Sequence, residues 1–248
     1  MIKIAGLRKK LGAKQVLDGV DLEIRTGETV VVLGPSGTGK SVLLKHILGL
    51  MPADEGSIQV DGEEIVGLGE TALNQIRRRF GMLFQGAALF DSMTIAENVA
   101  FALREHMKLS EDEILQRVRE RLEWVGLKDL EDAKPSSLSG GMRKRVGLAR
   151  AIVMDPQFIL YDEPTTGLDP ITADVIDELI RAMQKRLGVT SIVVTHDLHC
   201  AFKIGDRMAM LYGGKVVFCG TPEETKTTRN PYMRQFMDGS SVGPIQPV

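Results

Sequence analysis

Cysteine is almost missing. The chain holds two, Cys200 and Cys219, at a separation that matches neither a zinc-ligand pair nor a redox motif. That excludes a disulfide framework and predicts two buried free thiols in a reducing compartment. Long apolar runs are missing too. None approaches the roughly 18 residues that span a bilayer, so the chain is not expected to cross a membrane itself. The opening segment MIKIAGLRKKLG lacks the apolar core of a secretory signal. There is no surplus of one charge sign, the formal net charge being −2, which argues against a general nucleic-acid binder. Internal repeats and low-complexity segments do not occur. What is present is ordinary globular material. The 248 residues, 43 % hydrophobic and 26 % charged, suffice for one large domain, or a core with a subdomain.

The apolar runs alternate in type. IKIAGL, ETVVVLG, SIQVDG, GMLFQ, QFILYDE, TSIVVTH, RMAMLY and KVVFCG are short and mostly rich in β-branched residues, and they read as strands. Helical patterns lie between several of them. One covers 42–50. Another covers 110–124, opens with a capping box of Ser110 and Glu113, and puts Ile114, Leu115, Val118 and Leu122 on one face. A third starts at Asp169 as N-cap with Pro170 at the first helical position, and points Val175, Ile176, Leu179 and Met183 inward. Gly213-Gly214 predicts a hairpin turn, and Thr221 to Glu224 a further capping box. The whole is α/β. Residues 86–137 interrupt it with helices only, which suggests an inserted helical subdomain. In the tail, Pro231 can open a short helix with Tyr232, Phe236 and Met237 on one face. Val242, Ile245 and Val248 follow. Such an apolar tail either packs on its own domain or lies on a neighbouring subunit.

GPSGTGKS fits the phosphate-loop pattern, with a strand before it and a helix after it as the pattern requires. Gly34, Gly37 and Gly39 let the backbone curl around an anion, with Pro35, Ser36 and Thr38 between them and Val42 next in the helix. Lys40 is suited to neutralise phosphate charge, and Ser41 to offer a hydroxyl to Mg²⁺. In FILYDE, an apolar strand ends in two acids. A carboxylate at the end of a core strand needs a cation or partner, so Asp162 is suited to hold Mg²⁺ and Glu163 to orient or deprotonate an attacking water. Gln85 and His196 end two further strands, at the sheet edge where α/β proteins take ligands. Gln85 suits Mg²⁺ and water, and His196 a γ-phosphate. His46, His106 and His199 read as ordinary surface or core histidines. LSGGMRKR is a second small-residue loop at a helix start, where Ser139 and the N–H groups of Gly140 and Gly141 form an anion nest.

The order GPSGTGKS, Gln85, LSGGM, ILYDE, the GLD segment ending at Asp169, and His196 resembles the nucleotide-binding subunit of ATP-binding-cassette (ABC) transporters over nearly the whole chain. That resemblance implies a P-loop NTPase core with a mixed sheet, an N-terminal antiparallel β part and an inserted all-helical subdomain in a single domain, 1–248. The core is 1–85 with 138–230, the helical subdomain about 86–137, and the C-terminal helix and tail about 231–248. It implies ATP and Mg²⁺ as cofactors, with Ser41, Gln85 and Asp162 at the metal. It implies that Ser139, Gly140 and Gly141 act in trans, on ATP held by a second copy of the chain, with Asp169 in the loop beside them. The aromatic residue that usually stacks on adenine in the family falls at Leu11, which has no π face; Val16 can supply part of the base or ribose wall.

A finer resemblance is to the MlaF type, the ATPase of bacterial Mla/MCE phospholipid-trafficking transporters. It rests on Val42 in place of threonine, FDS in FQGAALFDSMT, and Met142 in place of glutamine. It implies a permease of MlaE type, an MCE-domain protein and a small STAS-domain subunit as partners, and a peripheral place on the cytoplasmic face of the bacterial inner membrane. The alternative within transporters is an importer ATPase for amino acids or other small solutes. Among non-transport ABC ATPases, those of DNA maintenance carry long coiled-coil or zinc insertions before the FILYDE strand. The interval here is short and has neither heptads nor cysteine pairs. Translation-type ABC proteins carry two cassettes, and small-molecule kinases and GTPases lack the LSGG loop.

Overall fold

The computed structural model describes residues 1–246, so Val248 lies outside the described residues. The chain divides into two compact units, one built from Met1–Arg77 with the segment from Thr190 on, the other from Arg78–Val189.

The first unit has two sheets. Strands β1 (Ile2–Leu11), β2 (Lys14–Ile24), β4 (Glu55–Val60) and β5 (Glu63–Glu64) pair antiparallel in the order β2-β1-β4-β5. β2 was not expected from the sequence. Its half KQVLDG has no clean period, but in VDLEI the residues Val20, Leu22 and Ile24 are buried while Asp21 and Glu23 are exposed, the alternation of a half-covered strand. The second sheet centres on β3 (Thr29–Leu33), flanked in parallel by β8 (Thr190–Thr195) and β9 (Arg207–Tyr212). Every residue of β3 and β8 is buried, the pattern of strands covered on both faces. β10 (Lys215–Gly220) returns antiparallel to β9 through Gly213 and Gly214, both at positive φ. The Asp18 N–H donates to the Gly214 carbonyl at 2.8 Å and joins the hairpin to β2.

Helix α1 (Lys40–Ile47) follows β3, and α2 (Glu70–Arg77) turns Leu73 and Ile76 inward. α7 (Leu198–Ile204) is capped by Asp197, and α8 (Pro222–Thr227) by the expected capping box at Thr221. In α9 (Pro231–Asp238) the buried residues are Met233 and Gln235, not the Tyr232, Phe236 and Met237 face. Gln235 explains the difference. Its amide donates to the carbonyls of Ser240 and Ile245 at 3.1 and 3.0 Å and accepts from the Ile245 N–H at 2.6 Å. The Tyr212 hydroxyl donates to the Pro244 carbonyl at 3.4 Å. The described tail therefore folds onto its own unit.

In the second unit β6 (Phe80–Leu83) and β7 (Phe158–Asp162) pair in parallel, Leu83 opposite Tyr161. Residues 86–137 hold α3 (Ile95–His106) and α4 (Glu111–Trp124), a 3-10 turn and no strand. Capping boxes at Thr94 and Ser110 start the two helices. α5 (Gly140–Ile152) and α6 (Pro170–Leu187) complete the unit. α6 buries Ile176, Asp177, Ile180 and Met183, while Val175 and Leu179 are half-buried. Trp124 at the end of α4 lies between the guanidinium groups of Arg121 and Arg186, 3.8 and 3.5 Å from its ring centre, so α4 is tied to α6 by cation–π contacts. The two cysteines differ from expectation. Cys200 is buried, but Cys219 is exposed; it lies on β10, the edge strand of its sheet, and Arg207 donates to its sulfur at 3.0 Å.

Candidate functional site

The expected site residues fall into two groups, one in each unit. In the first unit β3 delivers the phosphate loop. Leu33 pairs with Thr195 of the parallel strand β8, so Gly34 and His196 leave the sheet side by side at its carboxyl edge. Gly34 and Gly39 have φ of 155° and 101°. A Cβ on Gly34 would collide with the Leu211 carbonyl, and one on Gly39 would come within 2.9 Å of the Val16 side chain. Glycine is required at both for steric as well as conformational reasons. Val16 thus lies directly against the loop, whereas Leu11 sits at the β1–β2 turn with 42 % of its surface exposed.

Lys40 is buried, and its ammonium donates to the carbonyls of Gly34 and Pro35 at 2.7 and 3.1 Å. Thr38 donates to the Pro35 carbonyl at 2.9 Å. The loop is thereby closed on itself, with Ser36, Gly37, Ser41 and His196 exposed and Val42 half-buried. The N-cap of α1 is Gly39, which provides no side-chain acceptor, and no acid occupies the first turn. Phosphate oxygens fit at such a helix start, where backbone N–H groups and the helix dipole both favour an anion.

In the second unit the parallel pair β6 and β7 sends Phe84-Gln85 and Asp162-Glu163 off at one edge. Gln85 lies two residues past the end of β6, in a turn rather than at the strand end. Ala87 and Ala88 in that turn, and Glu163 after β7, have φ of 62°, 47° and 49°, left-handed values that non-glycine residues adopt only when the surroundings impose them. Glu163 accepts from the Thr166 hydroxyl at 2.9 Å. Ser139 is exposed and is the N-cap of α5, accepting from the Met142 N–H at 3.2 Å. A Cβ on Gly141 would run into the Thr172 side chain, so close packing of α5 on α6 demands glycine there. Asp169 caps α6, accepting from the Ile171 and Thr172 N–H groups at 3.1 and 3.0 Å. Hydrogen bonds from Thr172, side chain and then backbone, hold its carboxyl below the usual range. Gln85, Gly140, Lys144, Thr166 and Gly167 line one cavity of about 160 Å³.

Lys144 was not anticipated. It is buried, and its ammonium donates to the Gln85 carbonyl and, at 3.0 Å, to the Glu163 carbonyl. Burial pulls its pKa down to about 8, against the raising influence of Asp162 and Glu163. Its only trace in the sequence is the basic run RKR after LSGGM, which by itself reads as a solvated face. In the second unit Gln85 and Asp162 offer an amide and a carboxylate, and in the first Ser41 offers a hydroxyl; all are oxygen donors of the kind a hard cation such as Mg²⁺ takes. Among the described residues no cluster of histidine, cysteine and acids suits another metal.

The profile of the family described as "ABC transporter" matches residues 17–166. The chain belongs to the ABC transporter family. It is therefore an ATP-binding cassette and an ATPase. Its relatives include the "Probable ribonucleotide transport ATP-binding protein mkl" of Mycobacterium leprae, 46 % identical over 98 % of this chain and 70 % of the relative. The "Intermembrane phospholipid transport system ATP-binding protein MlaF" of Haemophilus influenzae is 41 % identical over 99 % of this chain and 93 % of that protein. These relatives bear out the likeness to the MlaF type. Among solved structures, the dimeric ATP-binding cassette MJ0796 in a post-hydrolysis state with ADP and Pi is 35 % identical, with a TM-score of 0.83 over 90 % of this chain and 99 % of that one. The P-loop ABC fold expected from the motifs is the fold found.

Proposed function

We propose that the cassette powers phospholipid movement between membranes, as one of two copies that close around two Mg-ATP and drive a membrane permease. The observation that carries the cargo is the likeness to MlaF proteins along nearly the full length of the chain, together with Val42, the FDS segment and Met142. A permease of MlaE type, an MCE-domain protein and a STAS-domain subunit are the partners this reading requires, at the cytoplasmic face of a bacterial inner membrane. Within the chain, residues 86–137 serve as the helical subdomain, and the loop 85–94 as the contact with the permease. Asn98 is buried and fixes that loop, accepting from the Phe90 N–H at 2.8 Å and donating to the Phe90 and Thr94 carbonyls. Phe90 and Phe101 pack with ring centres 5.3 Å apart at a tilt of 42° and stay 46 % and 40 % exposed, an apolar pair suited to a membrane-protein partner.

The residues divide the work as follows. The backbone of 34–39, with Lys40 and Val42, holds the phosphates, and Val16 and Leu11 border the base. Ser41, Gln85 and Asp162 hold Mg²⁺, which when bound offsets the charge that builds on the phosphate oxygens. Glu163 orients the attacking water and takes its proton, and His196 donates to the γ-phosphate. Ser139, Gly140 and Gly141 reach the ATP of the other copy, with Asp169 setting the neighbouring loop. Opening after hydrolysis returns the permease to its other state.

A second reading, import of a small solute such as a ribonucleotide, is favoured by the name and 46 % identity of the mycobacterial relatives. One complementation experiment separates the two. In a strain lacking this gene, the wild-type chain should restore the phospholipid distribution between membranes. Glu163→Gln should not, although it binds ATP and hydrolyses it roughly 100-fold more slowly. Uptake of labelled ribonucleotide should be unchanged throughout. Lost uptake with normal lipids overturns the lipid assignment.

A further inference from the structure

A buried lysine and a half-buried arginine of one helix hold two left-handed segments. α5 starts at Ser139 and carries Lys144 and Arg150 toward the ends of β6 and β7. Lys144 donates to the carbonyls of Gln85 and Glu163. Arg150 donates to those of Ala87 and Ala88, at 2.6 and 2.7 Å. Ala87, Ala88 and Glu163 are the residues of these segments at positive φ. Left-handed backbone turns its carbonyl away from the regular ladder, and the side chains of α5 supply donors to these oxygens, the Glu163 carbonyl also accepting from the Thr166 N–H at 3.4 Å. The helix comes close enough because position 147 is glycine. A Cβ there would stand 2.8 Å from the Leu83 side chain and 3.2 Å from that of Ala87.

We infer that Lys144 is a positioning residue for ATP hydrolysis, its ammonium tying the Gln85 turn and the Glu163 backbone to the helix that begins at Ser139. The inference rests on the roles proposed above for Gln85, Glu163 and Ser139. It adds a physical link between them: a displacement of Ser139 on meeting the other copy's nucleotide moves α5, and Lys144 carries that movement to the two carbonyls beside the catalytic side chains. Both of its hydrogen bonds go to backbone carbonyls. A side chain without a donor would remove the charged donor from both carbonyls and leave the Glu163 carbonyl its bond from the Thr166 N–H.

The test uses the full-length chain with Mg-ATP and measures steady-state phosphate release, ATP affinity and melting temperature for wild type, Lys144→Met, Lys144→Arg and Glu163→Gln. Lys144→Met should lower kcat at least 10-fold and change ATP affinity less than twofold. Lys144→Arg, which keeps a cation with several donors, should recover at least a third of wild-type kcat. A Lys144→Met enzyme with kcat within twofold of wild type overturns the inference. So does an equal loss in Met and Arg variants that melt like wild type. If Lys144→Met does not fold, Lys144→Ala, which likewise offers no donor, takes its place under the same criteria. Glu163→Gln separates the two levels. If it hydrolyses ATP at the wild-type rate, the assignment of the base is at fault. If it is inactive while Lys144→Met is fully active, only the positioning role falls.

Discussion

At the residue scale, the glycines of the two loops are constrained in different ways. Gly34 and Gly39 combine positive φ with close neighbours, whereas Gly141 is excluded from carrying a side chain only by Thr172. Both constraints leave glycine in the sequence, but only coordinates distinguish conformation from packing. The same holds at the proposed base-binding end. Val16 packs under Gly39, while Leu11 is largely open. A leucine there gives apolar contact without stacking. Replacing Leu11 by Tyr should tighten ATP binding by about 1 kcal/mol, the usual worth of an aromatic contact beyond its area. Isothermal titration with ATP and with a pyrimidine triphosphate checks this, and equal affinity in variant and wild type would show that another residue covers the base.

At the element scale, α1 joins the phosphate loop to a buried histidine. His46 is 2 % exposed, and its Nδ1 lies 2.8 Å from the Val42 carbonyl. Burial is the largest influence on it and lowers its pKa below the ordinary value. The carbonyls of Val42 and Pro52 and the carboxylate of Asp54 pull upward, and Lys9 pulls down. Since the folded state takes up the proton less readily than the unfolded chain, the stability associated with His46 is complete above the unfolded pKa of about 6.5. It is lost as pH falls. The melting temperature of wild type should therefore drop between about pH 7.5 and 5.5 by more than that of His46→Asn. An identical drop would assign the acid sensitivity to other groups. Nothing in the sequence marks His46, because its i, i+4 bond to Val42 is open to any surface histidine. Burial came from the neighbouring elements of the first unit.

At the scale of the whole molecule, the two loops with phosphate-binding chemistry are expected to work on different nucleotides. Lys40→Ala should abolish ATP binding in its own copy, and Ser139→Arg should spare binding but block closure with a bulky cation. Each variant alone should be inactive. An equimolar mixture should recover at most about a quarter of wild-type phosphate release, since half of random pairs are mixed and each mixed pair keeps one intact site. A mixture as inactive as its parts would mean that Ser139 serves its own copy. The described tail does not bear on this test, because Gln235 and Tyr212 hold it to its own unit.

Much of this protein was legible in the sequence because its signals are local. The phosphate loop needs a strand, a glycine curl and a helix within one short stretch. The caps at Ser110, Asp169 and Thr221 are each satisfied within three residues of themselves, so pattern alone located them. The tertiary structure decided what depends on distant neighbours. It paired β2 with β1, uncovered Cys219, buried His46, and moved the inward face of α9 onto Met233 and Gln235. It also brought Lys144 to the carbonyls of Gln85 and Glu163, which lie 59 and 19 residues away along the chain. A lysine in a basic run carries no mark of burial. Its role arises only when two left-handed segments turn their carbonyls toward the same helix, an outcome of packing that local pattern does not encode.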